Sequence, residues 1–129
     1  MSEIKLTISL LDGLFAVCQL PPDTPIPEWV IKGVLYSITR TGEELSLVCC
    51  ESNVPGSVNC ERGWRCFKVK GPLDFSLTGI MASISGALAR AGISLFPIST
   101  FDTDYFLIKG EKIDAAIQAL KDDGHRVEF

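Results

Sequence analysis

The second half of the chain alternates patterns typical of strands and helices. Residues 64–70 alternate large apolar and basic side chains, as a half-buried strand does. From about Ser76 to Ala91, apolar residues recur every three or four positions, which predicts a helix with one apolar face that ends at Gly92. The predicted elements are, in order, a strand at 64–70, a helix at 76–91, strands at 93–100 and 105–109, a helix at 112–121 and a strand at 125–129. This β-α-β-β-α-β order predicts an α+β, ferredoxin-like unit with both helices on one face of an antiparallel sheet.

The first half has strand patterns but little helix pattern. Strands are predicted at 5–11, 15–20, 35–40 and 44–51, with a short helix near 28–32. Asp12-Gly13 stands between two apolar runs and predicts a hairpin. The element order suggests a reduced version of the same unit, in which the helices have shrunk. We therefore expect two domains, residues 1–63 and 64–129.

Composition excludes several classes of function. The chain has 129 residues, 47% of them hydrophobic and 22% charged, which is typical of a globular protein. The net charge of −4 and the scattered Lys and Arg argue against binding to nucleic acid. No stretch approaches the roughly 18 apolar residues that a membrane span needs, and the start has no secretory pattern. We expect a cytoplasmic protein.

The cysteines and the single histidine do not form a recognisable catalytic or metal pattern. The number of cysteines is odd, and none are spaced as C-x-x-C. Buried apolar thiols are the simplest interpretation, with a redox role for Cys60, expected in a loop, as the alternative. His125 has no serine or cysteine near it in sequence, so we expect no catalytic residue, no metal and no cofactor.

Polar residues are concentrated at the turns of the second half. Free N–H groups near Ser76 could bind a carboxylate at the start of the helix. Asp104 could hold an ammonium group, and Ser94 and Thr100 could supply neutral hydrogen bonds. Ordinary turn or capping roles remain open for these residues and for Asp74, and a core role remains open for Phe101.

Three segments of the second half resemble the second domain of the CASTOR-type ACT proteins. They are Gly71-Pro72-Leu73-Asp74-Phe75 with Gly79-Ile80, Gly92-Ile93-Ser94, and residues 98–105, Ile-Ser-Thr-Phe-Asp-Thr-Asp-Tyr. Residues 37–49 resemble the matching first domain. The resemblance implies two ferredoxin-like ACT units, the first with reduced helices, and a ligand held between ACT domains. The ligand-binding residues that it implies are Asp74, Phe75, Ser76, Leu77, Ser94, Leu95, Thr100, Phe101 and Asp104.

The resemblance also bears on the ligand and the function. The larger relatives include cytosolic arginine sensors, and the arginine-binding ones carry an acidic residue near the position of Leu77. Because Leu77 is apolar, a neutral amino acid is at least as good a candidate as arginine. We expect a regulatory domain that senses a free amino acid and does no catalysis. The alternatives are an interaction or oligomerisation module without a small ligand and, as a remainder, an enzyme built around His125. A homodimer is expected.

Overall fold

The computed structural model describes residues 5–70 and 79–129 and has the predicted α+β class. Its strands are β1 Thr7–Leu10, β2 Phe15–Leu20, β3 Ser37–Arg40, β4 Leu45–Cys50, β5 Cys60–Val69, β6 Phe96–Ser99, β7 Asp104–Lys109 and β8 Arg126–Glu128. Its helices are α1 Ile80–Arg90 and α2 Ile113–Asp122, and short 3₁₀ helices cover Glu28–Ile31, Glu51–Asn53 and Gly110–Lys112. The order β5-α1-β6-β7-α2-β8 is the one predicted from the sequence.

Contacts divide the chain into two compact units. The central unit is residues 13–64, and the flanking unit is residues 1–12 together with 65–129. Strand β1 therefore groups with the second half of the chain, although the sequence analysis assigned it to the first domain. The reason is its pairing, because Ile8 lies opposite both Val69 on β5 and Val127 on β8. The boundary at residue 63 stays a prediction.

The predicted hairpin at Asp12-Gly13 is wrong. Gly13 does turn the chain, with a φ of 89°, but β1 and β2 do not pair with each other. A turn residue fixes the local backbone, whereas the partner of a strand depends on which apolar faces can be buried together.

The flanking unit is a five-stranded sheet in the order β6-β7-β5-β1-β8 with α1 and α2 packed on it. The rings of Phe67 on β5 and Phe106 on β7 stack with their centroids 5.1 Å apart. Helix α1 contributes its buried stripe to the same core, as its three- and four-residue spacing predicts. The fully buried or nearly buried members of this core are Ile8, Phe67, Val69, Ile80, Ile84, Leu88, Ile93, Phe106, Ile108, Ala116 and Leu120.

Helix α1 ends where the sequence predicts. Gly92 has a φ of 74°, a left-handed conformation that suits glycine. The N–H of Ile93 donates to the carbonyl of Leu88 at 2.9 Å, and the N–H of Gly92 donates to that of Ala89 at 3.0 Å, which is a Schellman motif. The predicted start at Ser76 lies outside the described residues.

The central unit is an antiparallel sheet in the order β3-β4-β2-β5. Single 3₁₀ turns, Glu28–Ile31 and Glu51–Asn53, stand where the flanking unit has helices. Their apolar neighbours Val30 and Val54 pack into a second core. This is the reduced unit that the element order suggested.

Candidate functional site

The turn between β6 and β7 is rigidly hydrogen-bonded. The N–H of Thr100 donates to the carbonyl of Thr103 at 2.9 Å. The hydroxyl of Thr100 donates to the same carbonyl at 3.0 Å and accepts from the N–H of Thr103 at 3.2 Å. The sequence analysis began the second of these strands at residue 105, but Asp104 is the first residue of β7 and pairs with Ser99.

A buried hydroxyl ties this turn to the end of β5. Thr103 is buried, and its Oγ1 donates a hydrogen bond to the carbonyl of Val69, the last residue of β5. The turn therefore lies beside the point where β5 ends. The predicted site residues Asp74, Phe75, Ser76 and Leu77 come between β5 and α1 in the sequence and lie outside the described residues.

A ligand could reach four residues of this turn, because Thr100, Phe101 and Asp102 are exposed and only Thr103 is buried. Asp104 is half-buried, and its Oδ1 accepts a hydrogen bond from the Ser99 hydroxyl at 2.7 Å. That bond fixes the carboxylate, while its second oxygen accepts no hydrogen bond in the described part of the chain. Phe101 is 79% exposed, which removes the core role that the sequence left open.

Ser94 and Leu95 lie at the opposite end of β6 from this turn. They precede the strand, whereas Thr100 follows it, and four strand residues span about 13 Å. Ser94 is exposed, and Leu95 packs partly against the core. Within one flanking unit, the predicted site residues that the structure describes therefore form two separate groups, one at each end of β6.

A second polar cluster, which the sequence did not reveal, surrounds His125. Its Nδ1 accepts from the N–H of Leu6 at 3.1 Å, so a proton on the neutral ring belongs to Nε2. Nε2 lies 3.2 Å from the hydroxyl of Ser83 and 3.3 Å from Oδ2 of Asp123. Oδ1 of the buried Asp123 accepts from Arg90 at 3.1 Å.

This arrangement differs from a Ser-His-Asp triad. Burial lowers the pKa of His125, against an opposing effect of Asp123. In the triad the carboxylate lies on one ring nitrogen and the nucleophile on the other, but here Ser83 and Asp123 both lie on Nε2. The sequence signal was too weak to find the cluster, because its members are distant in sequence and the only histidine has no patterned neighbour.

Neither metal binding nor membrane crossing finds support in the described ranges. Among residues 5–70 and 79–129, no three His, Cys, Asp or Glu side chains are grouped so that they could hold a metal ion. Within the same ranges, no helix is long and apolar enough to cross a bilayer.

Comparison with known families assigns both parts of the chain. An ACT domain model matches residues 59–122, and a model of an N-terminal domain family matches residues 13–57. The chain belongs to the ACT domain family, a class of regulatory domains, and no catalytic family is indicated.

Individual relatives agree with this assignment. The human protein named cytosolic arginine sensor for mTORC1 subunit 1 is 42% identical over 59 residues, which are 45% of this chain and 18% of the sensor. The crystal structure of Atu0741 from Agobacterium tumefaciens is 35% identical, covers 96% of this chain and 92% of its own, and has a TM-score of 0.92. The regulatory subunit of aspartate kinase from Thermus thermophilus, at 15% identity, shares the fold, with a TM-score of 0.64 over 91% of this chain and 97% of its own.

Proposed function

We propose that this chain is a cytoplasmic regulatory module that binds a free amino acid between ACT domains and does no chemistry on it. Two observations support the proposal. The human relative is named as a cytosolic arginine sensor, and the turn at Thr100–Asp104 presents a fixed carboxylate beside an exposed ring.

The fixed carboxylate of Asp104 is the observation that carries the proposal. Every amino acid has an ammonium group, and a carboxylate held in place by Ser99 binds such a cation without first losing side-chain freedom. Thr100 and Thr103 use their hydroxyl groups to hold the turn. In this proposal Thr100 shapes the site, and Phe101 covers the apolar part of the ligand.

The second half of the site comes from another ACT domain. Ser94 and Leu95 are separated from Asp104 by the length of β6, so one flanking unit cannot offer both groups to a ligand the size of an amino acid. Two copies of the chain could bring the Ser94 end of one domain to the Asp104 end of another. The loop with Asp74, Phe75, Ser76 and Leu77 completes the proposed site.

The choice of ligand rests on the residue type at position 77, which the family resemblance places near the ligand. Arginine is the ligand in the name of the human sensor. Here Leu77 offers no charge to a guanidinium group, so we propose a neutral amino acid as the ligand. Arginine is the second candidate to be tested.

Binding can be measured by thermal unfolding and calorimetry with each of the twenty amino acids. A ligand that binds only the folded chain raises the unfolding midpoint. Asp104→Asn should weaken binding about tenfold or more, because it replaces a charge-assisted hydrogen bond by a neutral one. Asp102→Asn is the matched control, since Asp102 is an exposed carboxylate in the same turn.

The outcomes separate the proposal from its alternative. If no amino acid at millimolar concentration shifts the midpoint, or if Asp104→Asn binds as tightly as the parent, the proposed site is wrong. A stable dimer without any response to amino acids would instead favour an interaction module. Exposed apolar residues near β3, namely Ile31, Val34 and Tyr36, are the observation that supports that second function.

A further inference from the structure

Three cysteines share one face of the sheet in the central unit. Cys18 on β2 lies directly opposite Cys60 on β5. Cys49 on β4 lies opposite Ala16, two residues from Cys18 along β2. Side chains two apart on a strand point to the same face, so the three thiols lie together on the face that carries the second core.

The hydrogen-bond register brings Cys18 and Cys60 close enough for a covalent bond. The N–H of Gln19 donates to the carbonyl of Asn59 at 2.9 Å. Gln19 and Asn59, which are next to Cys18 and Cys60, are therefore a hydrogen-bonded pair. Cys18 and Cys60 are therefore a non-hydrogen-bonded pair, whose Cα atoms are typically about 4.5 Å apart. Disulfides form at Cα separations of about 4.4–6.8 Å.

The two thiols differ in access to solvent. Cys18 is 1% exposed, whereas Cys60 is half-buried near the start of β5. Burial raises the pKa of Cys60, and the nearby Arg62 guanidinium opposes that rise. Hydrogen bonding with Cys49 raises the pKa of Cys18. An oxidant would therefore meet Cys60 first, and Cys18 would react second.

We propose that Cys18 and Cys60 form a redox-active dithiol that a peroxide converts to a cross-strand disulfide. The Cys60 thiolate attacks one oxygen of hydrogen peroxide, the O–O bond breaks, and the hydroxide that leaves takes a proton to become water. The sulfenic acid on Cys60 is then attacked by Cys18, whose proton goes to the departing hydroxide to give a second water. Two sulfur atoms lose one electron each, and the peroxide gains both.

Cys49 is the competitor within the cluster. Its thiol is fully buried and hydrogen-bonds with that of Cys18, but its position is diagonal to Cys18. The Cα atoms of diagonal neighbours lie about 7–8 Å apart, beyond the range of about 4.4–6.8 Å at which disulfides form. The direct partner therefore has the geometric advantage, and the proposal commits to the Cys18–Cys60 bond.

The test is oxidation of the reduced full chain with hydrogen peroxide, followed by peptide mass mapping and thiol counting. The chain has five cysteines, all reduced in this structure. We expect reactive thiols under denaturing conditions to fall from five to three, with one peptide pair linking Cys18 to Cys60. The rate should rise about tenfold per pH unit near neutrality, because the thiolate is the nucleophile.

Matched variants make the result decisive. Cys60→Ala and Cys18→Ala should each abolish the link, and Cys50→Ala should retain it, although Cys50 is also half-buried. Cys66, whose pKa burial raises to about 12, should stay unmodified. A link between Cys18 and Cys49, disulfides only between chains, or no loss of thiols would each overturn the proposal. Using two alanine variants keeps the test valid if one of them fails to fold.

Discussion

At the scale of the residue, His125 shows how burial outweighs a neighbouring charge. Asp123 favours the protonated ring, but desolvation of the fully buried side chain is the larger effect and lowers the pKa of His125. The positive charge of Lys5 also lowers the pKa of His125. The folded chain therefore holds the neutral ring, which satisfies both the Leu6 N–H and the Ser83 hydroxyl.

This environment predicts a pH dependence of stability. Between the lowered pKa in the folded state and the ordinary value near 6.5, the unfolded chain binds a proton that the folded chain does not. The free energy of unfolding should therefore fall as pH drops below about 6.5 and should level off below the folded-state pKa. Urea titrations of a chain without a histidine tag, between pH 5 and 8, would measure the fall.

A single variant separates the contribution of His125 to the pH dependence of stability from the contribution of the carboxylates. His125 is the only histidine, and in His125→Asn the amide oxygen can still accept from Leu6. The stability difference between parent and variant should shrink as pH falls from 7.5 to 5.5. If the difference is the same at both pH values, His125 does not carry the dependence.

The residue scale is also where the sequence predicted least about the site. It offered Asp104 and Phe101 as candidates, which stay predictions, but the distance along β6 that separates Ser94 from Asp104 depends on strand direction, which no local pattern contains. Likewise, the hydroxyl of Thr103 meets Val69 across 34 residues of chain. Long-range partners of this kind are set by packing of the whole sheet.

At the scale of the element, α1 contains one glycine and is followed by another, and the two have opposite roles. Gly86 lies within the helix, where glycine costs conformational entropy, and a Cβ there would meet only the end of the Arg90 side chain at 3.4 Å. Gly92 ends the helix with a φ of 74°, which only glycine adopts at low cost. One helix therefore offers a matched pair of substitutions.

Alanine at these two positions should have opposite effects on the free energy of unfolding. Gly86→Ala should stabilise by about 0.5–1 kcal/mol, because it removes freedom from the unfolded chain. Gly92→Ala should destabilise by about 1–2 kcal/mol, because it forces a side chain into the left-handed region. Chemical denaturation of both variants measures the pair. Equal signs would mean that the Schellman motif at Gly92 is absent in solution.

Elements were the part of the fold that the sequence predicted well. Both helices, the order of the elements along the second half and the reduced helices of the first half follow from apolar spacing and from turn residues such as Gly92 and Gly124. The placement of β1 could not be predicted in this way. The alternating pattern of β1 predicts a strand but does not specify which strands pair with it. In the structure, β1 lies between β5 and β8.

At the scale of the whole molecule, the sheet edges decide how copies could associate. Strand β6 is an edge protected by the exposed Pro97, which has no N–H to offer. Strand β8 is an edge of only three residues. Strand β3 contains no proline and is longer than β8, and β4 is its one strand partner in the described part of the chain. It is the edge on which pairing with a second copy is least hindered.

The register of β3 predicts how to test the expected homodimer. The N–H of Thr41 donates to Glu44, so by alternation the N–H of Arg40 points away from β4 and toward a partner. Sedimentation at micromolar concentrations should show a dimer for the parent and for Arg40→Ala, but mainly monomer for Arg40→Pro, which lacks that donor. Both variants lose the guanidinium contacts with Pro22 and Thr24, so the difference between them reports on the edge. A dimer that persists in Arg40→Pro must form through another surface.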